Sequence, residues 1–317
     1  MRQPRIPTGY VTLGVVGAVL ALVPLATGDS AHYARITTLM LVYMTYAVAF
    51  NMILGHTRQL FLCLGALAGS AAYVSVVLTR ELELSPWTTI LLGTLVAGAL
   101  GGMFSYVSVR RGLGVIFLGI VTLAFSLIFQ NLIYGLRALT NGETGLVTKG
   151  MGLSVLEDQR SSYYVIFGVL MLSLFVYQLM MRSRIGVAFR ALSDDEYTAE
   201  LAGIDVTSYK VLAASVGSLL IGFVGALYGY RNGFISPAIY SLAGIDIVVL
   251  ITLLVGGMRT LLGPVLGGVA FAVVDELVRP FGQLTVLVYG MLLIILFLTF
   301  REGLVSVLRK VTKLDIP

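Results

Sequence analysis

The chain has 317 residues, of which 58% are apolar and only 12% charged, and its mean hydropathy is +0.95. Soluble domains run at roughly 45–50% apolar and about 25% charged residues, so this chain lacks the charge to cover a water-facing surface. Disorder, collagen and a nucleic-acid-binding domain are excluded; the net charge of +5 and pI near 9.3 fit basic anchors on membrane loops.

About 20 apolar residues cross a bilayer. Ten apolar segments follow one another, each bounded by charge, Pro or polar clusters: 10–27, 36–54, 60–78, 88–108, 113–135, 162–181, 210–230, 244–260, 261–278 and 284–300. They leave no room for a separate soluble domain. Residues 1–317 therefore read as one all-α integral membrane unit, a polytopic bundle of about ten helices (eight to ten). The first segment follows Arg2 and Arg5, as in a signal peptide, but nine spans behind it favour a retained helix. In the eighth and ninth, Gly256, Gly257 and Gly263-Pro264 interrupt the run, which predicts short or re-entrant helices.

With the N-terminus in the cytoplasm, 14 of the 21 lysines and arginines fall on the cytoplasmic side, as the positive-inside rule requires. Both termini are then cytoplasmic. The single cysteine, Cys63, excludes a disulfide within the chain, and two histidines are too few for a zinc cluster. No cofactor is expected. Small residues recur at four-residue spacing: Gly65 and Gly69; Ala97 and Gly101; Ala214, Ser218 and Gly222; Gly225 and Gly229. In lipid such ridges let helix backbones approach, so they predict close crossings rather than pore lining.

The connection from Arg182 to Lys210 is the longest predicted cytoplasmic loop. Ser193 with Glu196 three residues on has the form of a capping box. Asp194, Asp195 and Glu196 then occupy a first turn, where the helix dipole favours negative charge. Tyr197, Leu201 and Ile204 recur at helical spacing, Ala199 and Glu200 lie between them, and Gly203 is placed to stop the helix. Helices that rest on lipid are rich in Lys and Arg. This one is acidic, which favours a protein partner.

This stretch resembles the loop that couples permeases of ABC importers to their ATPases, in particular the high-affinity branched-chain amino-acid permeases. The resemblance is carried by Gly186, Arg190-Ala191, Asp194-Asp195-Glu196, Ala199-Glu200, Gly203-Ile204 and Tyr209-Lys210. It continues in Gly225-Ala226-Leu227-Tyr228, Gly233-Phe234-Ile235-Ser236-Pro237, Gly256-Gly257, Gly263-Pro264 and Gly267. Val121 to Phe125, and Thr140, Gly142 and Gly145, are similar to earlier blocks of that family. The chain departs from it at Phe61 and Leu64, where the family has Ser and His, at Glu143, and at Met258-Arg259-Thr260.

The resemblance implies a sister permease, identical or not, two cytoplasmic ATPase subunits and a periplasmic substrate-binding protein, in the inner membrane of a bacterium. The solute it implies is a branched-chain or related amino acid; the wider family also handles urea, short amides and other small solutes. Arg190, Asp194 to Tyr197, Ala199 to Leu201 and Gly203 become the candidate ATPase-coupling residues.

Candidates for the path or a gate are fewer. Asp246 begins the eighth segment, either meeting water at a helix start or touching substrate. Gln130 and Asn131 lie deep in the fifth, lining a polar path or bonding between helices. Thr140, Asn141 and Gly142 form a turn-rich outer loop, and Gly256 and Gly257 mark the break. There is no phosphate-binding GxxxxGK[ST] loop and no Ser-His-Asp set, so catalysis belongs to another chain. An ion-coupled transporter would need ionisable groups near the midplane, and this chain has almost none there.

Overall fold

Where the sequence is apolar and unbroken, a helix satisfies all of its own backbone groups, and helices result. The computed structural model describes residues 8–27, 30–278, 287–288, 290–291 and 303–305. The early helices are α1 (Thr8–Thr27), α2 (Ala31–Phe50), α3 (Leu64–Leu82), α4 (Pro86–Arg110) and α5 (Val115–Gly135). After two single-turn helices, α6 (Arg137–Thr140) and α7 (Ser154–Glu157), come α8 (Gln159–Arg182), α9 (Arg184–Asp194), α10 (Glu196–Leu201) and α11 (Val206–Asn232). The last are α12 (Ile247–Gly256) and α13 (Gly263–Val278). Among the described residues five helical runs are long and apolar enough to cross a membrane: His32–Gly55, Pro86–Arg110, Val115–Gly135, Gln159–Arg182 and Val206–Asn232. The predicted tenth segment lies almost wholly outside the described residues.

The centre of the bundle is α11, packed on α4, α3 and α2, while α13 packs on α2 and α8 lies between α2 and α1. The small-residue ridges make these crossings. An ideal Cβ on Gly222 would stand 2.6 Å from the Ala97 Cβ of α4 and 3.2 Å from that of Ala71 on α3. Gly101 meets the side chain of Ser218, and Gly225 meets Ala68. These ridges pack helices against one another.

Two predicted spans are corrected. The third was placed at 60–78, but α3 starts only at Leu64 and residues 58–63 run non-helically through the interior, with Phe61 and Cys63 buried. The apolar side chains matched a helix; the backbone instead finds acceptors elsewhere. Leu62 N–H donates to Thr122 Oγ1 at 2.9 Å, and Leu64 N–H donates to Asp246 Oδ1 at 2.5 Å. The eighth was placed at 244–260. Residues 236–241 are turns, Leu242–Asp246 is a π turn, and α12 has only ten residues. At 1.5 Å per residue α12 is about 15 Å long, half of a hydrocarbon core of about 30 Å. The break after it turns on Gly257 at φ +114°.

At one end of the bundle a two-residue strand β1 (Leu146–Val147) pairs antiparallel with β2 (Phe234–Ile235), Leu146 opposite Ile235. His32 at the start of α2 meets Glu276 of α13 at 3.0 Å, also at this end. The opposite end carries α9 and α10.

Candidate functional site

The α9–α10 segment is built from local signals. Ser183 caps α9 by accepting from Ile185 N–H at 3.1 Å, and Gly186 lies against the Met181 backbone, with no room for a Cβ. This makes a tight elbow with α8. Phe189 and Leu192 face inward and are buried. The predicted cap is corrected: Ser193 is buried within α9, donating to Arg190 O at 2.9 Å. Asp195 caps α10 instead, accepting from Thr198 N–H at 2.9 Å. The helix expected at about 194–203 is the shorter α10, and a separate helix, α9, precedes it, because Asp195 between them is extended at φ −150°. Gly203 is where the sequence put it, at φ +84°. Its N–H donates to Glu200 O, and Ile204 N–H to Ala199 O, which is a Schellman ending. Asp205 then caps α11, and hydrogen bonds from the Ser208 hydroxyl and N–H hold its carboxyl below the usual range.

Ala199 faces inward, whereas Tyr197 and Leu201, four residues apart on one face, are 70% and 72% exposed. Two of the acidic residues expected to reach a partner are engaged within the chain. Glu196 Oε2 meets Lys210 Nζ of α11 at 2.6 Å, and Asp195 is the cap.

Residues absent from the sequence-level set fasten this segment to the two breaks. Arg58 Nη2 donates to Asp194 O at 3.4 Å, and Gln59 Nε2 to Lys210 O at 3.0 Å. Arg259, in the turn between α12 and α13, donates through Nη2 to Ser193 O at 3.4 Å and through Nε to Gly55 O at 2.9 Å. Its N–H donates to Asn51 Oδ1, and Asn51 Nδ2 donates to Thr260 O at 3.0 Å. His56 Nε2 lies 2.8 Å from Tyr177 Oη, and its ring stacks on Phe189. Burial, then the guanidiniums of Arg259 and Arg190, push the His56 imidazole down to about 4. The only mark on these residues is the Met258-Arg259-Thr260 departure, and nothing local points to what Gln59 and Arg259 bind. Their partners are more than 60 residues away.

The remaining candidates do not form one cluster. Asp246 is 1% exposed and meets no water; both carboxylate oxygens accept backbone N–H groups, from Leu64 and from Gly65 at 3.3 Å. Gly256 and Gly257 sit in the close α12–α13 contact, where the carbonyl of Gly263 leaves Gly256 no space for a Cβ. On α5, Asn131 is exposed and donates to Leu127 O of its own helix, and Gln130 is half-buried. Thr140 bonds Ile133 O at 2.7 Å, Asn141 and Gly142 take φ +57° and +59°, and the loop leads into β1. The TNGETGL and GFISP stretches are thereby joined in one sheet, and Thr148 Oγ1 adds a bond to Gly229 O at 3.0 Å. Among the described residues no three His, Cys, Asp or Glu side chains are grouped to hold a metal ion.

Residues 32–298 match the family model described as the branched-chain amino acid transport system / permease component. The chain is 29% identical to the high-affinity branched-chain amino acid transport system permease protein LivM of Salmonella typhimurium, covering 88% of this chain and 71% of that one. It is 28% identical to LivM of Escherichia coli over the same shares. With BraD of Pseudomonas aeruginosa it shares 33% identity over 44% of this chain and 43% of the relative. No solved structure matches. This helical, multi-pass membrane chain belongs to the family of permease components of branched-chain amino acid transport systems.

Proposed function

We propose that this permease is one of two membrane subunits of an ATP-driven importer in a bacterial inner membrane. A periplasmic binding protein delivers a branched-chain or related amino acid, and two cytoplasmic ATPases drive its release inside. Residues 1–317 form one transmembrane unit of about ten spans with both termini cytoplasmic. Arg58, Arg110, Arg182, Arg190, Lys210 and Arg259 all lie toward the α9–α10 end, which supports placing that end in the cytoplasm.

One observation carries the coupling role. Tyr197 and Leu201 point outward from α10, while Arg58, Gln59, Lys210 and Arg259 tie its neighbours to the segments 58–63 and 257–262. A load on α10 therefore reaches both irregular segments. Broken helices are where transporters build paths and move them. The sister permease is assigned to the open face of α5, since an exposed Asn131 is costly against lipid but not against a partner or a polar path. A urea- or amide-like solute is the second reading, favoured by buried Phe61 and Leu64, where resembling chains carry Ser and His.

The test is Tyr197→Ala with Leu201→Ala. The double variant inserts and folds normally, because both side chains are exposed. It loses ATPase association and uptake of labelled leucine, and hydrolysis no longer responds to loaded binding protein. Full association and uptake in the double variant would remove α10 from the coupling role.

A further inference from the structure

The α9–α10 end holds a cavity of about 490 Å³ that the coupling contacts leave open. Its charged lining is Arg182 from the end of α8, Arg190 from α9, Arg259 from the α12–α13 turn, and one acid, Asp194.

The three guanidiniums bond only to neutral groups among the described residues. Arg190 donates to Met181 O at 3.4 Å, and Arg259 to the carbonyls of Gly55 and Ser193. Arg182 lies over the Tyr10 ring at 4.3 Å, and the Gln178 amide, turned to present its oxygen, accepts from Arg182 Nε at 2.6 Å. Three cations against one anion leave a surplus of two positive charges around an open space. His56 on the cavity wall stays neutral beside them and adds no charge at pH 7.

A second feature adjoins the first. Leu261 lines this cavity and also a closely packed apolar seam between α1, α8 and the start of α13, where Leu13, Val16, Leu174 and Val265 leave no room for a water. On the same helix α1, Val11, Val15, Val19 and Leu22 are exposed, as on a helix that faces lipid. A basic cavity whose Arg182 reaches Tyr10 of a lipid-facing helix has the polarity profile of a phospholipid.

We propose that this cavity binds the phosphate headgroup of an anionic glycerophospholipid, held by Arg182, Arg190 and Arg259, with an acyl chain lying along the exposed face of α1 that carries Val11, Val15 and Val19. Basic pockets between helices on the cytoplasmic side recognise such headgroups. The leaflet is the cytoplasmic one in the orientation proposed above; the binding itself does not depend on that orientation. Free inorganic phosphate shares the headgroup chemistry but makes no use of the apolar face of α1.

The experiment uses the full chain purified in detergent. Phosphatidylglycerol, phosphatidylcholine and inorganic phosphate are titrated separately, and bound lipid is read by native mass spectrometry. Phosphatidylglycerol binds about tenfold or more tighter than phosphatidylcholine, and millimolar phosphate does not displace it. Arg182→Gln with Arg190→Gln weakens phosphatidylglycerol about 30-fold, the equivalent of about 2 kcal/mol for two basic residues near a headgroup. Arg110→Gln, a basic residue at the same end but outside the cavity, changes binding by about twofold at most. Val11→Ser with Val15→Ser makes the apolar face of α1 polar with the arginines in place and also weakens the lipid, which covers the case of an arginine double variant that fails to fold. Equal affinity for the two lipids, an unchanged double variant, or displacement by inorganic phosphate would overturn the assignment. No ATPase or transport enters the assay, so its failure is separate from failure of the permease reading.

Discussion

The Asp246 carboxylate accepts the backbone N–H of Leu64 at 2.5 Å across 182 residues of sequence. It thereby caps α3 from another helix and joins the two stretches, 58–63 and 236–241, where the backbone leaves the helical path. Asp246→Ala would orphan two buried N–H groups, each costing about 1–3 kcal/mol. Its thermal unfolding temperature in detergent should fall sharply. Asp246→Asn keeps one acceptor oxygen and should lie between Ala and wild type. Equal stability for all three would show that the clamp contributes nothing.

The Glu196–Lys210 pair should be exchangeable. Glu196 is half-exposed, so the pair is worth at most about 1 kcal/mol and global stability should barely move on breaking it. The coupling of hydrolysis to loaded binding protein should drop in Glu196→Lys and in Lys210→Glu, and recover in the double exchange. A double variant as defective as either single would mean that the charges act on a partner instead of each other.

Gly222→Leu should fail to assemble. Its side chain would enter a crossing where even a Cβ stands 2.6 Å from Ala97. Overpacking of this kind costs about 1–3 kcal/mol or more. Leu92→Ile, on the exposed face of α4, should behave as wild type in size-exclusion profiles. A monodisperse, stable Gly222→Leu protein would contradict the packing.

Stability should depend on pH through His56. Phe189 and Arg190 of α9, Tyr177 of α8, Arg259 of the α12–α13 turn and the nearby Asp194 surround it. The folded imidazole sits at about 4 against 6.5 when unfolded, so between these values the unfolded chain binds the extra proton. Its contribution is full above about pH 6.5, falls as pH drops to about 4, and levels off below, for a loss of about 3 kcal/mol. His56→Gln should flatten that part of an unfolding profile measured from pH 8 to 4. An identical slope in the variant would assign the dependence to other groups.

A reporter fused after Pro317 and another inserted at Asn141 should report opposite sides of the membrane, with the fusion at Pro317 active only in its cytoplasmic form. Both on one side would refute the ten-span arrangement with cytoplasmic ends.

Length, composition and local pattern determined a good deal of this protein. Apolar runs fixed the long helices because a helix is the chain's own answer to a solvent without hydrogen bonds. Four-residue spacing of small residues fixed the α11 crossings, and Gly203 stopped α10, because each depends on geometry within a turn or two. What the tertiary structure decided was where that rule is broken. Residues 60–63 look like helix by side chain, yet Thr122 accepts from Leu62 N–H and Asp246 caps the helix that begins only at Leu64, both from distant parts of the chain. Asp246 read as an acid that either meets water at a helix start or touches substrate; only the fold shows it buried, with both oxygens holding backbone N–H groups. Arg58, Gln59 and Arg259 carried no local signal, since a long side chain reaching a backbone carbonyl leaves no periodicity to read. Satisfaction of backbone groups is local in a helix and non-local wherever the helix breaks, and the candidate site is built at the breaks.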